Sequence, residues 1–152
     1  MKWKFIFAFT SLMIGLFSQT VDPEKWNTVE RMCGKLERVE EIPIKGTPSL
    51  FTEKRQPIKK AVVRIYRREK DAPCCESSMP LAETVTSRGG DFMFKDSAPG
   101  TYWVVVVVDG TEYSHAIKYA PSAKDKVEVS CSDLLYEIRK GELQLGRIVT
   151  VD

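Results

Sequence analysis

The chain has 152 residues and a mass of 17.3 kDa, enough for one domain with a substantial core. Hydrophobic residues make up 43% and charged residues 29% of it, a balance that excludes an intrinsically disordered protein. The formal net charge is +2, but residues 1–20 contain two lysines and no acid. Without them the lysines and arginines fall from 23 to 21 and equal the 21 acids, so the charge gives no reason to expect nucleic-acid binding.

Residues 1–20 have the pattern of a signal peptide. Lysines precede an apolar run of roughly thirteen residues, which suits a signal peptide and is short for a bilayer core of about 30 Å. The small residues Ser18 and Thr20 suit a cleavage site. The pattern predicts a secreted or periplasmic protein with no membrane contact after cleavage. The alternatives are a buried N-terminal helix and a retained membrane anchor.

Four cysteines in a small exported domain predict disulfide bonds at Cys33, Cys74, Cys75 and Cys131. Three pairings are open. A bridge between neighbours closes a strained ring, so we expect Cys33 and Cys131 each to take one member of the adjacent pair. The alternative joins Cys33 to Cys131 and leaves a vicinal bridge or two free thiols at 74 and 75. A zinc site is not expected, because the chain has one histidine and no CxxC spacing.

Beyond the leader, short alternating segments recur between turn residues, with no helical pattern between them. Residues 21–32 form a polar N-terminal segment in which Asp22 and Pro23 favour a short helix. Residues 43–57 contain three prolines and one glycine, which is typical of a loop. Nine segments are predicted strands: CGKLERVEEI, KKAVVRIYRRE, LAETVTSR, DFMFK, the YWVVVVV run, TEYSHAIKY, DKVEVSC, DLLYEIR and ELQLGRIVTV.

Regular spacing of strands and turns predicts an all-β domain over residues 33–152. The expected architecture is an antiparallel Greek-key β-sandwich of seven to nine strands. The five consecutive valines, residues 104–108, belong to its central strand, and Asp109-Gly110 predicts the two-residue hairpin that ends it.

The central strand leaves three side chains to be explained, namely Trp103, Val105 and Val107. They face away from the core if Tyr102 and the even-numbered valines face it, because side chains alternate along a strand. A tryptophan beside two valines on an open sheet face is typical of a binding surface. Strands covered on both faces also read as continuous apolar runs. We expect the ends of the chain to cover this face, through Trp26 or through the C-terminal hairpin with Leu135, Leu143 and Leu145.

These strands and turns resemble the carboxypeptidase regulatory-like domain, a transthyretin-like (prealbumin-like) β-sandwich. The resemblance covers roughly residues 33–119. It falls on an alternating strand, a threonine strand, a Gly-x-Phe-x-Phe turn and a Pro-Gly-x-Tyr turn, with the residues Val63, Ile65, Thr84, Thr86, Gly90, Phe92, Phe94, Pro99, Gly100, Tyr102, Val104 and Val106. The resemblance implies structural roles for these residues and no catalytic residue among them. The Cys74-Cys75 segment and the tail after Cys131 depart from the family pattern.

Candidate catalytic residues are few. His115 is the one imidazole, and its place on a predicted strand favours a core or sheet-surface role over that of a general base. The acidic pair Glu40-Glu41 lies beside a predicted turn and is expected to be solvated. The chain contains no GxSxG, HExxH or glycine-rich phosphate loop. The basic stretch KRQPIKK, residues 54–60, favours a solvated loop, with a binding patch as its alternative.

The sequence therefore predicts a non-catalytic, disulfide-bonded module of the cell envelope or extracellular space, with a binding or structural role. No cofactor and no metal is expected, and the partner is expected to be a protein or a glycan. The alternative is a carbohydrate-binding module that uses exposed aromatics such as Trp103. An enzyme of unknown type is a third hypothesis, without a catalytic pattern to support it.

Overall fold

The computed structural model describes residues 26–69, 74–75, 79–121 and 131–147. Within these ranges the chain forms ten strands, no α-helix and one 3-10 turn at Cys131–Asp133. The strands are β1 (Asn27–Val29), β2 (Cys33–Pro43), β3 (Phe51–Pro57), β4 (Val62–Arg67), β5 (Ala82–Val85), β6 (Asp91–Met93), β7 (Gly100–Val108), β8 (Thr111–Tyr119), β9 (Leu134–Arg139) and β10 (Glu142–Arg147). The all-β prediction is confirmed, with one strand more than expected.

The strands form two sheets. Sheet A has the order β1-β8-β7-β4-β5, and sheet B has the order β10-β9-β2-β3, with β6 also paired to β2. Most neighbours are antiparallel, but β1 pairs with β8 and β2 pairs with β9 in parallel. The sheets are therefore mixed rather than purely antiparallel. The architecture agrees with a β-sandwich, whereas the Greek-key connectivity and the transthyretin-like relation stay predictions.

The core lies between the two sheets, as side-chain alternation requires. Sheet A contributes Val63, Ile65, Val104, Val106 and Ile117, and sheet B contributes Leu36, Phe92, Tyr136 and Ile138. Tyr136 is fully buried and packs closely on β2, because a methyl group at Gly34 would lie 2.6 Å from its ring. The predicted facing of β7 is confirmed, since Tyr102 and the even-numbered valines are buried in this core.

Two hairpins have two-residue turns, and one of them is the turn predicted at Asp109-Gly110. Asp109 and Gly110 join β7 to β8 with φ angles of 50° and 78°. Lys140 and Gly141 join β9 to β10 with φ angles of 49° and 78°. Positive φ at both central residues is the signature of the type I′ turn, whose twist matches that of the flanking strands.

The prediction of a loop over residues 43–57 is wrong for the second half of that segment. Phe51–Pro57 is β3, which pairs antiparallel with β2 from Glu37–Pro57 to Pro43–Phe51. All seven β3 residues are exposed, so no alternation of apolar and polar side chains marks the strand. The tip of this hairpin leaves the apolar side chains of Ile44, Leu50 and Phe51 exposed.

Two further predictions concern the ends of the domain. The prediction of a short helix in residues 21–32 is wrong in the part of this segment that the structure describes, because Asn27–Val29 is a strand beside β8. The segment DKVEVSC lies outside the described residues except for Cys131, which begins the 3-10 turn.

All four cysteines form disulfides, but in the pairing that we did not prefer. Cys33 is bonded to Cys131, with a Cα–Cα distance of 5.2 Å, and Cys74 is bonded to Cys75. The physical reason is position. Cys33 begins β2, and Cys131 lies just before β9, the parallel neighbour of β2 in sheet B. Cys74 and Cys75 lie instead against strands of sheet A.

Candidate functional site

The outer face of sheet A is the surface that points away from the core. β7 contributes the three predicted residues Trp103, Val105 and Val107. β4 places Tyr66 opposite Trp103 and Arg64 opposite Val105. Trp103 and Val107 are half-buried, and Val105 is only 4% exposed. Something other than the core must therefore cover Val105.

Arg68 covers Trp103. Its guanidinium carbon lies 4.8 Å from the centre of the Trp103 ring and 4.5 Å from that of Trp26, so the cation stacks with two indoles. Backbone and hydroxyl bonds to Thr101 fix the start of this side chain: Arg68 N donates to Thr101 O at 2.9 Å, and Thr101 Oγ1 donates to Arg68 O at 3.2 Å. Burial lowers the pKa of Arg68.

The stack bears differently on the two covers expected from the sequence. Trp26 of the N-terminal segment contacts the same guanidinium that covers Trp103. The C-terminal hairpin does not, because Leu143 and Leu145 of β10 pack into the core from sheet B. Leu135 lies opposite Lys35 of β2, also in sheet B.

Ring contacts hold the stack, and two of its nitrogen atoms have no hydrogen bond in the described part of the chain. Trp26 Nε1 and Arg68 Nη1 are buried and have no hydrogen-bond partner within the described residues. The guanidinium occupies a face of Trp103, and the neighbouring indole closes on the same cation. The arrangement therefore does not offer the row of open aromatic rings on which the carbohydrate-binding alternative depends.

A cavity of about 380 Å³ lies beside this stack, and we call it the disulfide cavity. Its lining residues are Tyr66, Cys74, Cys75, Val105, Glu112, Tyr113 and Ser114. Val105 and Tyr66, both nearly buried, provide apolar surface from the sheet, and the vicinal disulfide provides soft, polarizable sulfur atoms. Sequence reasoning missed this arrangement, because residue spacing does not show where the Cys74-Cys75 segment lies.

Two side chains of β8 make the disulfide cavity polar on one side. Ser114 lies opposite Val105, and Glu112 lies opposite Val107. Glu112 has no ion-pair partner within the part of the chain that the structure describes. The site thus combines a valine, two tyrosine rings and the vicinal disulfide with the polar side chains of Ser114 and Glu112. Among the described residues, no group of histidine, cysteine and acidic side chains could hold a metal ion.

His115 is half-buried on β8, where the sequence predicts a strand. Its Nδ1 lies 3.2 Å from Leu143 O, and its Nε2 lies 2.6 Å from Asn27 Nδ2. A carbonyl can only accept, so Nδ1 carries the hydrogen and Nε2 accepts from the amide of Asn27. Burial lowers the pKa of His115, although the Leu143 carbonyl opposes that effect. Both nitrogens are occupied at the contact between β1, β8 and β10.

The outer face of sheet B carries ion pairs. Arg139 contacts Glu53 at 2.6 Å, Glu41 at 3.0 Å and Glu137 at 3.4 Å. Arg55 contacts Glu53, Glu137 and Glu37 at 2.9, 2.5 and 3.6 Å. Of the acidic pair expected to be solvated beside a turn, Glu40 is exposed, whereas Glu41 is half-buried within β2 and paired.

The residues that carry the family resemblance have structural roles in the described part of the chain. Phe92 and Phe94 pack edge to face at 6.1 Å within the core. The Tyr102 hydroxyl donates to the Ala98 carbonyl, so the tyrosine ties β7 to the preceding loop. At Gly90, with φ of 83°, a side-chain carbon would lie 2.5 Å from Leu36 O.

No protein-family model matches the chain, and a search of the curated proteins finds no match. The likeness to carboxypeptidase regulatory-like domains therefore depends on the motif residues. The described residues contain no helix that is long and apolar enough to cross a bilayer.

Proposed function

We propose that this chain is an exported, non-catalytic β-sandwich module of the carboxypeptidase regulatory-like type, and that it binds a ligand or partner group in the disulfide cavity. The observation that carries the proposal is the cavity of about 380 Å³ between Cys74–Cys75 and strands β4, β7 and β8. The cavity is concave and brings polar side chains together with apolar ones, and binding sites are usually concave clefts in which placed polar groups set specificity.

The lining defines the group that fits. The Tyr66 and Tyr113 rings and the Val105 methyl groups favour a flat ligand that carries an apolar ring. The carboxylate of Glu112, which has no cation beside it in the described part of the chain, favours a positive end. The matching group is an aromatic or aliphatic ammonium, either in a small molecule or as a basic side chain of a protein at the cell envelope.

A binding role is also supported by the chemistry of the one imidazole in the chain. A general base must reach its substrate with a free nitrogen. Both nitrogens of His115 are hydrogen-bonded, one to Asn27 within sheet A and the other to the Leu143 carbonyl of sheet B. The histidine therefore contributes to the packing of β1 and β10 on β8, and we propose no catalytic step.

Benzylamine is a suitable probe, because its ring matches the Tyr66 and Tyr113 rings and its ammonium can reach Glu112. We expect saturable shifts in the backbone amide resonances of Val105, Glu112 and Ser114, with a dissociation constant on the order of 1 mM for so small a ligand. Benzoate, of similar size and opposite charge, is expected to cause no saturable shift. Equal binding of both probes, or of neither, would contradict the proposal.

Two variants test whether benzylamine binds in the disulfide cavity. Ser114→Trp fills the disulfide cavity and should abolish the binding of benzylamine. Val85→Trp adds the same bulk on β5, in a residue that is 53% exposed and does not line the cavity, and should leave the dissociation constant unchanged. Unchanged binding in the Ser114 variant would contradict a site at this cavity.

Export is tested separately. Expression of the whole chain with its own leader should release a mature protein from the cytoplasm, and N-terminal sequencing should place its first residue near residue 21. A full-length chain that keeps residues 1–20 in the cytoplasm would contradict export without affecting the binding proposal.

A further inference from the structure

A second cleft, of about 250 Å³, lies on another part of the molecule. It is formed by β2, the turn between β3 and β4, and the turn between β7 and β8. Its charged and polar lining residues are Arg38, Gln56, Lys59, Lys60 and Asp109. We call it the basic cleft. It contains the end of the basic stretch for which the sequence favoured a solvated loop.

The charges of the basic cleft do not balance. Three cations line it, and Asp109 is the one acid among its lining residues. The contact between Arg38 and Asp109 is long, at 3.8 Å. Lys59 and Lys60 have no ion-pair partner among the residues that the structure describes. The cleft therefore has an excess of two positive charges beside its single acid.

Thr86, a buried polar residue, hydrogen-bonds to the turn that carries the two lysines. Its hydroxyl donates to Ile58 O at 2.7 Å and accepts from Ala61 N at 2.9 Å. Its carbonyl accepts from Lys60 N at 3.1 Å, and its own N–H donates to Ala61 O at 2.9 Å. Four hydrogen bonds from one residue thus hold the backbone from 58 to 61.

This clamp holds Lys60 in an unusual conformation. Lys60 has a φ of 56°, in the left-handed region that non-glycine residues rarely adopt. A backbone conformation of this kind persists only when its surroundings impose it, and such positions concentrate at functional sites. Here the residue in this conformation belongs to a turn whose two adjacent lysines line the same cleft as Arg38.

We propose that the basic cleft binds an oxyanion, a sulfate or phosphate group. Three cationic donors around a volume of about 250 Å³ match a multiply charged oxyanion with a sugar-sized substituent. The group can belong to a soluble ester or to a lipid headgroup. The site is independent of the disulfide cavity, with which it shares no lining residue.

Inorganic sulfate and phosphate are the first probes, titrated at constant ionic strength against sodium chloride. Saturable shifts are expected in the amide resonances of Arg38, Lys59 and Lys60. The double variant Lys59→Ala, Lys60→Ala should weaken binding by about tenfold or more. The matched control, Lys45→Ala with Lys118→Ala, removes the same charge outside the cleft and should leave the dissociation constant unchanged.

Further probes separate the sources of the oxyanion. Glucose 6-phosphate tests a soluble ester, and phosphatidylglycerol vesicles test a lipid headgroup, with phosphatidylcholine vesicles as the neutral control. Saturable binding of either anionic probe that depends on the two lysines supports the site and names its source. Shifts that grow without saturation, or that both double variants reduce equally, would overturn it.

Discussion

The outer faces of the two sheets are covered by different kinds of side chain. Sheet B covers its outer face with charged side chains, and Arg55 and Arg139 are each surrounded by three carboxylates. Sheet A covers Trp103 with a stacked cation and borders the disulfide cavity, which the nearly buried Val105 helps to line. The charges of sheet B satisfy one another, whereas Glu112 on sheet A has no ion-pair partner among the described residues. This difference is why we propose that a ligand binds on sheet A rather than on sheet B.

The two disulfides also differ between the sheets, and removing one of them should cause the largest loss of stability. Cys33–Cys131 joins residues 98 apart in sequence, whereas Cys74–Cys75 joins neighbours. Replacing both Cys33 and Cys131 by alanine should lower the free energy of unfolding by about 4 kcal/mol, because a long loop is released in the unfolded chain. Replacing Cys74 and Cys75 should cost less than about 1 kcal/mol. Urea denaturation measures both, and equal losses would contradict the distinction.

A charge introduced on the outer face of sheet A should lower the free energy of unfolding more where the native side chain is more deeply buried. Val105→Asp places a carboxylate where the native side chain is 4% exposed, and should cost at least about 2 kcal/mol of unfolding free energy. Val85→Asp, on the same face at 53% exposure, should cost less than about 0.5 kcal/mol. Similar urea midpoints for the two variants would show that Val105 is not covered.

The stack on Trp103 is expected to have a smaller effect. Arg68→Ala removes the cation between two indoles, and we expect a loss of about 1 kcal/mol with increased quenching of tryptophan fluorescence by acrylamide. Arg67→Ala, on the exposed neighbour, is the control and should change neither quantity. If Arg68→Ala left the quenching unchanged, Arg68 would not be the cover of Trp103.

The ion pairs of sheet B should have the smallest effect and a pH signature. Hydrogen bonds, chiefly from Lys140 to Glu41 and from Arg139 to Glu53, hold the pKa of both carboxyls below the ordinary value of 4.5. Their stabilisation is therefore present above that value and is lost as the pH falls through the folded-state pKa. The double variant Glu41→Gln, Glu53→Gln should unfold at slightly lower urea at pH 7. At the acid end the variant and the native chain should converge, and a gap that persisted there would contradict this assignment.

The sequence predicts those parts of the molecule in which one strand or turn determines its own structure. Alternation predicts the facing of Val104 and Val105, and the type I′ chemistry of Asp109-Gly110 predicts the hairpin. β3 escapes prediction, because an edge strand exposed on both faces has no alternation and is defined by its pairing with β2. Of the residues predicted as a possible binding surface, Val105 lines the disulfide cavity, whereas Trp103 lies under Arg68. Arg68 and the vicinal disulfide reach this face only through tertiary contacts, which residue spacing does not show.

The position of a bound probe tests the central claim most directly. Nuclear Overhauser effects between the ring protons of benzylamine and the methyl groups of the protein report which surface holds the ring. We predict contacts to Val105 and to the Tyr66 ring, and none to Val85. Contacts confined to another apolar surface, such as Leu50 and Phe51 at the tip of the β2–β3 hairpin, would contradict the claim that the outer face of sheet A is the binding surface.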